Sequence, residues 1–149
     1  MELSEIRRLL LDQHTELRTI IGELEAAALR VAAGDSAAVR VVDASIQALA
    51  TALAAHHAAE DAHLASFLPG ADAWGTERAK LLRERHDASH AVMDAAVAEA
   101  ASPAASSAAR AATALSLATA LREHMSVEEK YILTESLLRD DGIIVEFGG

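Results

Sequence analysis

The sequence predicts an all-α protein, an up-down-up-down four-helix bundle with a short C-terminal tail. Of its 149 residues, 52% are hydrophobic but only 3% are aromatic, and so much alanine and leucine favours closely packed helices. Apolar residues recur three and four positions apart in four long blocks, which is the periodicity of an amphipathic helix. The links between these blocks are short, so successive helices are expected to run in opposite directions.

The first two predicted helices are bounded by glycine and proline. Residues 4–33 are expected to form the first helix, with Gly34 as its C-terminal cap residue. The apolar positions of this helix share one side: Ile6, Leu9, Leu10, Leu17, Ile21, Leu24 and Ala28. The second helix covers residues 37–68 and is stopped by Pro69 and Gly70.

The third and fourth predicted helices are separated by a serine–proline pair. Thr76 is expected to cap a helix over residues 77–101. Ser102 and Pro103 then fit the N-cap and the first position of a fourth helix over residues 103–139, since proline is favoured at the first helical position. Each helix is therefore long enough to run the length of a bundle.

The last residues, 140–149, form a short and largely apolar tail. We expect this tail to pack across the bundle or to contact a protein partner. The composition indicates no internal linker, so residues 1–149 are predicted to form one domain, large enough to bury a substantial core.

Composition and charge exclude several classes of function. With 13 Lys and Arg against 23 Asp and Glu, the formal net charge is −10, which argues against nucleic acid and against anionic membrane surfaces as partners. The chain has no cysteine, so disulfides, iron–sulfur clusters and thiol chemistry are excluded. The start "MELSEIRRLLLDQ" lacks the features of a secretory signal. The least charged run, "SPAASSAARAATALSLATAL", contains a proline, an arginine and several hydroxyls and makes a poor membrane span. A cytoplasmic protein is expected.

Five histidines and two glutamates lie at one predicted level of the bundle. Counted at about 1.5 Å per residue, they lie roughly 12 to 22 Å from the same end. These residues are His14, His56, Glu60, His86, His90, His124 and Glu128. Burying so many polar groups unpaired costs several kcal/mol in total, and shared coordination of a metal removes that cost. The sequence therefore predicts a metal site formed by all four helices.

Three further residues near this level receive other roles. His57 is expected to face solvent or a neighbouring helix, because it lies on a different helical face from His56. His63 is nearer the end of the bundle. It is expected to contact a metal ligand without binding the metal itself, or to lie at the mouth of the pocket. Trp74, in a loop at the same end, is expected to be a packing anchor.

The donor set favours iron over the other common metals. A ferritin-like site needs Glu-x-x-His on two helices, and only Glu60 and His63 provide that spacing. Zinc usually takes about four ligands, often cysteine. Imidazoles with two carboxylates suit iron, with manganese as the less favoured alternative.

The arrangement of these residues resembles the hemerythrin and hemerythrin-like (HHE cation-binding) family. The resemblance covers nearly the whole chain, from "DQHTELR" through "HHAAED", "FLP" and "ERHDASH" to "EHMSVEEKYIL". It implies two non-haem iron ions with a bridging oxygen inside a four-helix bundle. It also implies that the seven residues of the predicted level are the ligands, with the two carboxylates bridging the irons.

The last carboxylate of this pattern has two candidates. Oxygen-carrying hemerythrins place it five residues after the last histidine, usually as aspartate, whereas many bacterial relatives have glutamate at four. The chain has both Glu128 and Glu129. Four residues turn a helix by about 400° and five by about 500°, so Glu128 is the expected ligand and Glu129 the alternative.

Ligand counting distinguishes two functions. Five histidines, two bridging carboxylates and one bridging oxygen fill all but one position on two six-coordinate irons. The vacancy favours reversible binding of O2, or of another small diatomic molecule or anion, by a carrier, store or sensor. If only one of His86 and His90 binds, a second position opens, and the alternative is an enzyme that consumes peroxide or nitric oxide. The sequence leaves this choice open.

Overall fold

Four long helices account for most of the residues that the computed structural model describes, 1–102 and 104–140. The helices are α1 (Leu3–Ala32), α2 (Val39–His63), the short α3 (Leu68–Ala71), α4 (Gly75–Ala101) and α5 (Ser107–Tyr131). No strand occurs within the described residues. The predicted all-α bundle is therefore confirmed, while Pro103 and residues 141–149 of the predicted tail lie outside the described part of the chain.

Both ends of α1 satisfy their backbone groups locally. Glu2 and Glu5 form a reciprocal capping box at the N-terminus. At the C-terminus, Gly34 has a φ of 102°, and the N–H of Asp35 donates to the carbonyl of Arg30 over 3.0 Å. This is the Schellman arrangement, which needs a residue that tolerates positive φ. Gly34 therefore ends the first helix as predicted.

Helices α2 and α5 end alike, and both end earlier than the predicted residues 68 and 139. The carbonyl of Glu60 near the end of α2, and that of Glu128 near the end of α5, each accept two hydrogen bonds from the residues that follow. The donors are the N–H groups of Leu64 and Ala65 in α2, and of Ile132 and Leu133 in α5. The chain leaves the helix at these points, and the leucines that follow turn inward over the end of the bundle.

The start of α4 is set by a close backbone contact. A Cβ added at Gly75 would lie 1.7 Å from the carbonyl oxygen of Leu68 in α3, so this corner requires glycine. As a result α4 begins at Gly75 with Trp74 as its N-cap. Thr76 lies inside the helix, and the prediction that it caps α4 is wrong.

The start of α5 also differs from the prediction. Its N-cap is Ser106, whose hydroxyl accepts a hydrogen bond from the N–H of Ala109 over 3.1 Å. Ser102, the predicted N-cap, instead follows the last residue of α4. A serine at an N-cap accepts a hydrogen bond from a backbone N–H three residues later. Ser102 and Ser106 can both do so by sequence, and the structure shows that Ser106 is the N-cap.

The apolar core has two parts along the bundle. The larger cluster fills the half that contains the α1–α2 link, and the smaller one closes the opposite end. The larger includes Leu17, Ile21, Leu24, Ile46, Leu49, Leu53, Met93, Leu117, Leu121 and Met125. The smaller consists of Ile6, Leu10, Leu64, Leu68, Ala79, Leu82, Ile132, Leu133 and Leu138. Within α1 and α4, polar residues separate the two clusters. After α2 and α5, the smaller cluster begins at the first residue beyond the helix end, Leu64 or Ile132.

The long helices surround this core in a ring. α1 packs against α2 and α5, and α4 packs against both α5 and α2. In the described part of the chain, one helical stretch, Ser36–His63, is long and apolar enough to cross a membrane by length and composition alone. Here that stretch packs against α1 and carries buried polar residues on its inward face.

Candidate metal centre

A layer of buried polar side chains lies between the two apolar clusters. Each of its members is at most 9% exposed. The layer consists of His14 from α1, His56, His57 and Glu60 from α2, His86 from α4, and His124 and Glu128 from α5. The structure thus brings together six of the seven predicted ligands and adds His57.

Group A of this layer comprises His14, His56 and Glu128. The Nε2 atoms of the two imidazoles lie 3.2 Å apart. Oε2 of Glu128 lies 2.9 Å from Nε2 of His14 and 3.3 Å from Nε2 of His56. Three donor atoms from three helices therefore converge on one point, as ligands of a single metal ion would.

Group B comprises His57, Glu60 and His86. Nε2 of His86 contacts Oε2 of Glu60. The ring of His57 stacks on that of His86, with 4.2 Å between the centroids. Group B therefore joins α2 to α4, whereas group A joins α2 to α1 and α5.

Each glutamate directs one oxygen towards each group. While Oε2 of Glu60 contacts His86, its Oε1 lies 3.4 Å from Nε2 of His56 in group A. While Oε2 of Glu128 faces group A, its Oε1 lies 2.7 Å from Nε2 of His124. The ring of His124 is on the side of group B, 5.9 Å from that of His57. Two carboxylates placed between two sets of imidazoles suit a pair of metal ions that share both carboxylates.

Unsatisfied polar atoms are concentrated in this layer. Across the described residues, seven buried side-chain nitrogen and oxygen atoms make no hydrogen bond, and five of them belong to the layer. Nε2 of His124 and Oε1 of Glu128 are among these five, since the two atoms are close but are not aligned for a hydrogen bond. These five are Nε2 of His57, Oε1 of Glu60, Oε1 of Glu128 and both ring nitrogens of His124. Buried polar atoms are normally satisfied, and coordination of a cation would satisfy these. The residues present therefore fit a metal centre.

The charge states of the layer also suit cation binding. Burial would raise the pKa of Glu128, but the surrounding histidines hold it well below its usual range. Burial and the neighbouring imidazoles lower the pKa of His57 to about 3. Burial alone would lower the pKa of His56, yet Glu128 and Glu60 outweigh it and raise the pKa to about 9. At neutral pH an anionic carboxylate and a neutral imidazole are available as ligands, and the proton on His56 must leave when metal binds.

The neighbouring glutamates of α5 have different surroundings. Glu128 is fully buried between the two groups. The side chain of Glu129 is 32% exposed, and its Oε1 lies 2.9 Å from the outer nitrogen of His14, Nδ1. Consecutive residues on a helix point about 100° apart, so only Glu128 faces the centre of the bundle.

His90, unlike the other predicted ligands, lies outside the buried layer and contacts group B only from its outer side. Its side chain is exposed, and its Nε2 lies 2.8 Å from Nδ1 of His57. The ring of His57 occupies the space beside His86 and stacks on both histidines of α4, with centroids 4.2 Å and 4.8 Å away. In this structure His57, and not His90, belongs to the group formed with Glu60 and His86.

Of the two placements expected for His57, the structure shows the neighbouring helix and not solvent, because His57 is 5% exposed and stacks on the histidines of α4. Its membership of a buried metal-ligand group was not predicted. The doublet His56–His57 was the available signal. Two residues 100° apart can straddle the midline of an inward helix face, so that one imidazole faces α1 and the other faces α4. Of the remaining expectations, Trp74 is 67% exposed and is therefore not a packing anchor.

His63 is half-buried and belongs to neither group of the described part of the chain. Replacing His63 with alanine is therefore expected to leave the metal content unchanged and to alter the affinity for a small ligand only modestly. Metal analysis of the His63→Ala variant beside the unmodified protein checks this. A variant that lost one equivalent of metal would make His63 a ligand.

Comparison with known proteins agrees with this geometry. The family model of the hemerythrin HHE cation-binding domain matches residues 5–135, a range that contains every member of the buried layer. No curated protein and no solved structure matches the chain. The match extends over most of the sequence and across all four long helices. The chain therefore belongs to the hemerythrin HHE cation-binding domain family.

Proposed function

We propose that this protein holds two non-haem iron ions and binds O2, or another small diatomic molecule or anion, reversibly. The observation that carries this proposal is the division of the ligand atoms between the two groups. Group A offers two imidazoles, and the side of group B offers three, namely those of His57, His86 and His124. Glu60 and Glu128 add one oxygen to each side.

The unequal division indicates where a small molecule would bind. Because group A supplies one ligand atom fewer than the side of group B, an open position is expected beside His14 and His56. Two iron ions held in this way would supply the electrons that reversible O2 binding requires. Imidazoles with two carboxylates, and no cysteine in the chain, support iron as the metal.

The surroundings of the layer support binding rather than turnover. His14, His56, Glu60 and Glu128 are at most 1% exposed as side chains, and apolar clusters cover the layer on both sides along the bundle. Such packing keeps bulk water away from group A, while a surface cleft lined by His86 and His90 reaches group B. Consumption of peroxide or nitric oxide needs a second open position. With His57 inside the layer and His90 outside it, the layer contains five imidazoles.

A spectroscopic experiment tests the proposal. The reduced, iron-loaded protein is expected to develop a charge-transfer band in air and to lose it when O2 is removed, over repeated cycles. Metal analysis of the same sample is expected to find about two iron ions per chain. A protein that never shows the reversible spectrum, and instead consumes peroxide or nitric oxide over many cycles, would support the enzymatic alternative.

A further inference from the structure

In group A, polar side chains lie at hydrogen-bond distance from Nδ1, the outer ring nitrogen, of both histidines. Nδ1 of His14 lies 2.9 Å from Oε1 of Glu129, and Nδ1 of His56 lies 3.0 Å from Oε1 of Gln13. Both acceptors lie on the outer side of the rings, so each imidazole directs Nε2 towards Glu128. The outer nitrogens of group A are thus fixed by acceptors from α1 and α5.

The histidines on the side of group B are held less well. Nδ1 of His86 lies 3.7 Å from Oδ1 of Asp61, beyond hydrogen-bond distance. Nδ1 of His124 is buried without a hydrogen-bond partner among the described residues. Nδ1 of His57 meets only the imidazole of the exposed His90. In residues 1–102 and 104–140, no carboxylate lies at hydrogen-bond distance behind any of these three rings.

Glu129 is itself anchored. Nη1 of Arg18 donates to the same oxygen, Oε1, over 2.6 Å. The guanidinium of Arg18 can only donate hydrogen bonds, so Oε1 of Glu129 is an acceptor. Nδ1 of His14, which lies 2.9 Å from the same oxygen, is then the second donor, and Nε2 of His14 keeps a lone pair for a metal.

We propose that Glu129, anchored by Arg18, is a positioning residue that orients His14 and makes group A bind its metal ion more tightly than group B. This inference rests on the proposed dimetal centre. A carboxylate behind a metal-binding imidazole fixes its tautomer and ring orientation and makes the inner nitrogen a stronger donor. The two glutamates of α5 thus have different tasks, since Glu128 faces the metals and Glu129 supports a ligand.

The test is a titration of the metal-free protein with Co2+, in which the visible absorption of the bound Co2+ is measured after each addition. The unmodified protein is expected to bind Co2+ in a tighter and a weaker step. Glu129→Gln keeps an acceptor but loses the charge, and it should weaken the tighter step by roughly 10-fold. Glu129→Ala loses both, and it should weaken that step by up to roughly 100-fold. The absorption of the first Co2+ should change in both variants, and the weaker step should stay the same.

Two further variants complete the design. Glu16→Gln removes the same charge from an exposed position on α1, and it should leave both steps and both spectra unchanged. Arg18→Met releases the anchor without touching Glu129, and it should weaken the tighter step in the same direction as Glu129→Gln. Arg18→Met and Glu129→Gln decide the matter if Glu129→Ala does not fold.

The outcomes separate this inference from the proposed function. If the Glu129 and Arg18 variants kept both Co2+ affinities unchanged, or weakened both equally, the positioning role would be contradicted. The dimetal centre would not be. Uptake of a single Co2+ by the unmodified protein would contradict both proposals. Loss confined to the tighter step, with partial rescue by glutamine, is the expected result.

Discussion

Replacing Glu60 with alanine is expected to abolish the binding of both metal ions. The free energy of unfolding of the variant should then be about 3–5 kcal/mol lower than that of the metal-loaded unmodified protein. Glu60 is fully buried, its Oε2 contacts His86, and its Oε1 lies 3.4 Å from Nε2 of His56. The substitution removes a ligand atom from each group and leaves buried imidazoles without a compensating charge. Metal analysis and urea unfolding measure the two effects.

Glu16→Ala is the matched control for this experiment. Glu16 is an exposed carboxylate on α1, and surface substitutions usually change the free energy of unfolding by no more than about 0.5 kcal/mol. The Glu16→Ala protein is expected to keep its metal. A Glu60→Ala protein with full metal content and an unchanged unfolding midpoint would contradict the assignment of Glu60 as a shared ligand.

Replacing His57 with alanine is expected to reduce the metal content from roughly two ions per chain to roughly one. The unpartnered Nε2 of His57 is buried, and His57 forms group B with Glu60 and His86. Group A makes no use of His57, so its metal should remain. Metal analysis gives the stoichiometry, and the spectrum of the remaining ion shows which group is still occupied.

His90→Ala is the natural comparison, because the sequence pattern predicted His90 as the ligand instead. His90 is exposed and contacts the layer through His57, so its removal is expected to leave both metals bound. If His90→Ala lost one metal and His57→Ala lost none, the sequence-based assignment would hold and the structure-based one would fail.

The end of α1 was predicted correctly from the sequence, and the ends of α2 and α5 were not. Gly34 ended α1 as predicted, because positive φ is a local property that glycine meets without strain. The ends of α2 and α5 were predicted too late. There, apolar residues after Glu60 and Glu128 fit a longer helix as well as they fit the end cluster, and burial against other helices decided between the two.

Part of the candidate site could likewise be predicted from the sequence. The spacing of His14, His56, Glu60, His124 and Glu128 along amphipathic helices placed them at one level of a bundle, because helical rise and apolar periodicity are encoded locally. Those residues are all buried in the layer. The choice of Glu128 over Glu129 also followed from helical rotation, and the buried position of Glu128 agrees with it.

The sequence by itself therefore determined the fold class, the family resemblance and most of the buried polar layer, since each depends on periodicity within single helices. Only the tertiary structure showed that His57 lies inside group B while His90 lies outside it, and that Glu129 lies behind His14. Those two outcomes depend on the rotation of α2 against α4 and of α5 against α1, by which a neighbouring helix fills or leaves the space beside an imidazole. No spacing within one helix encodes that rotation.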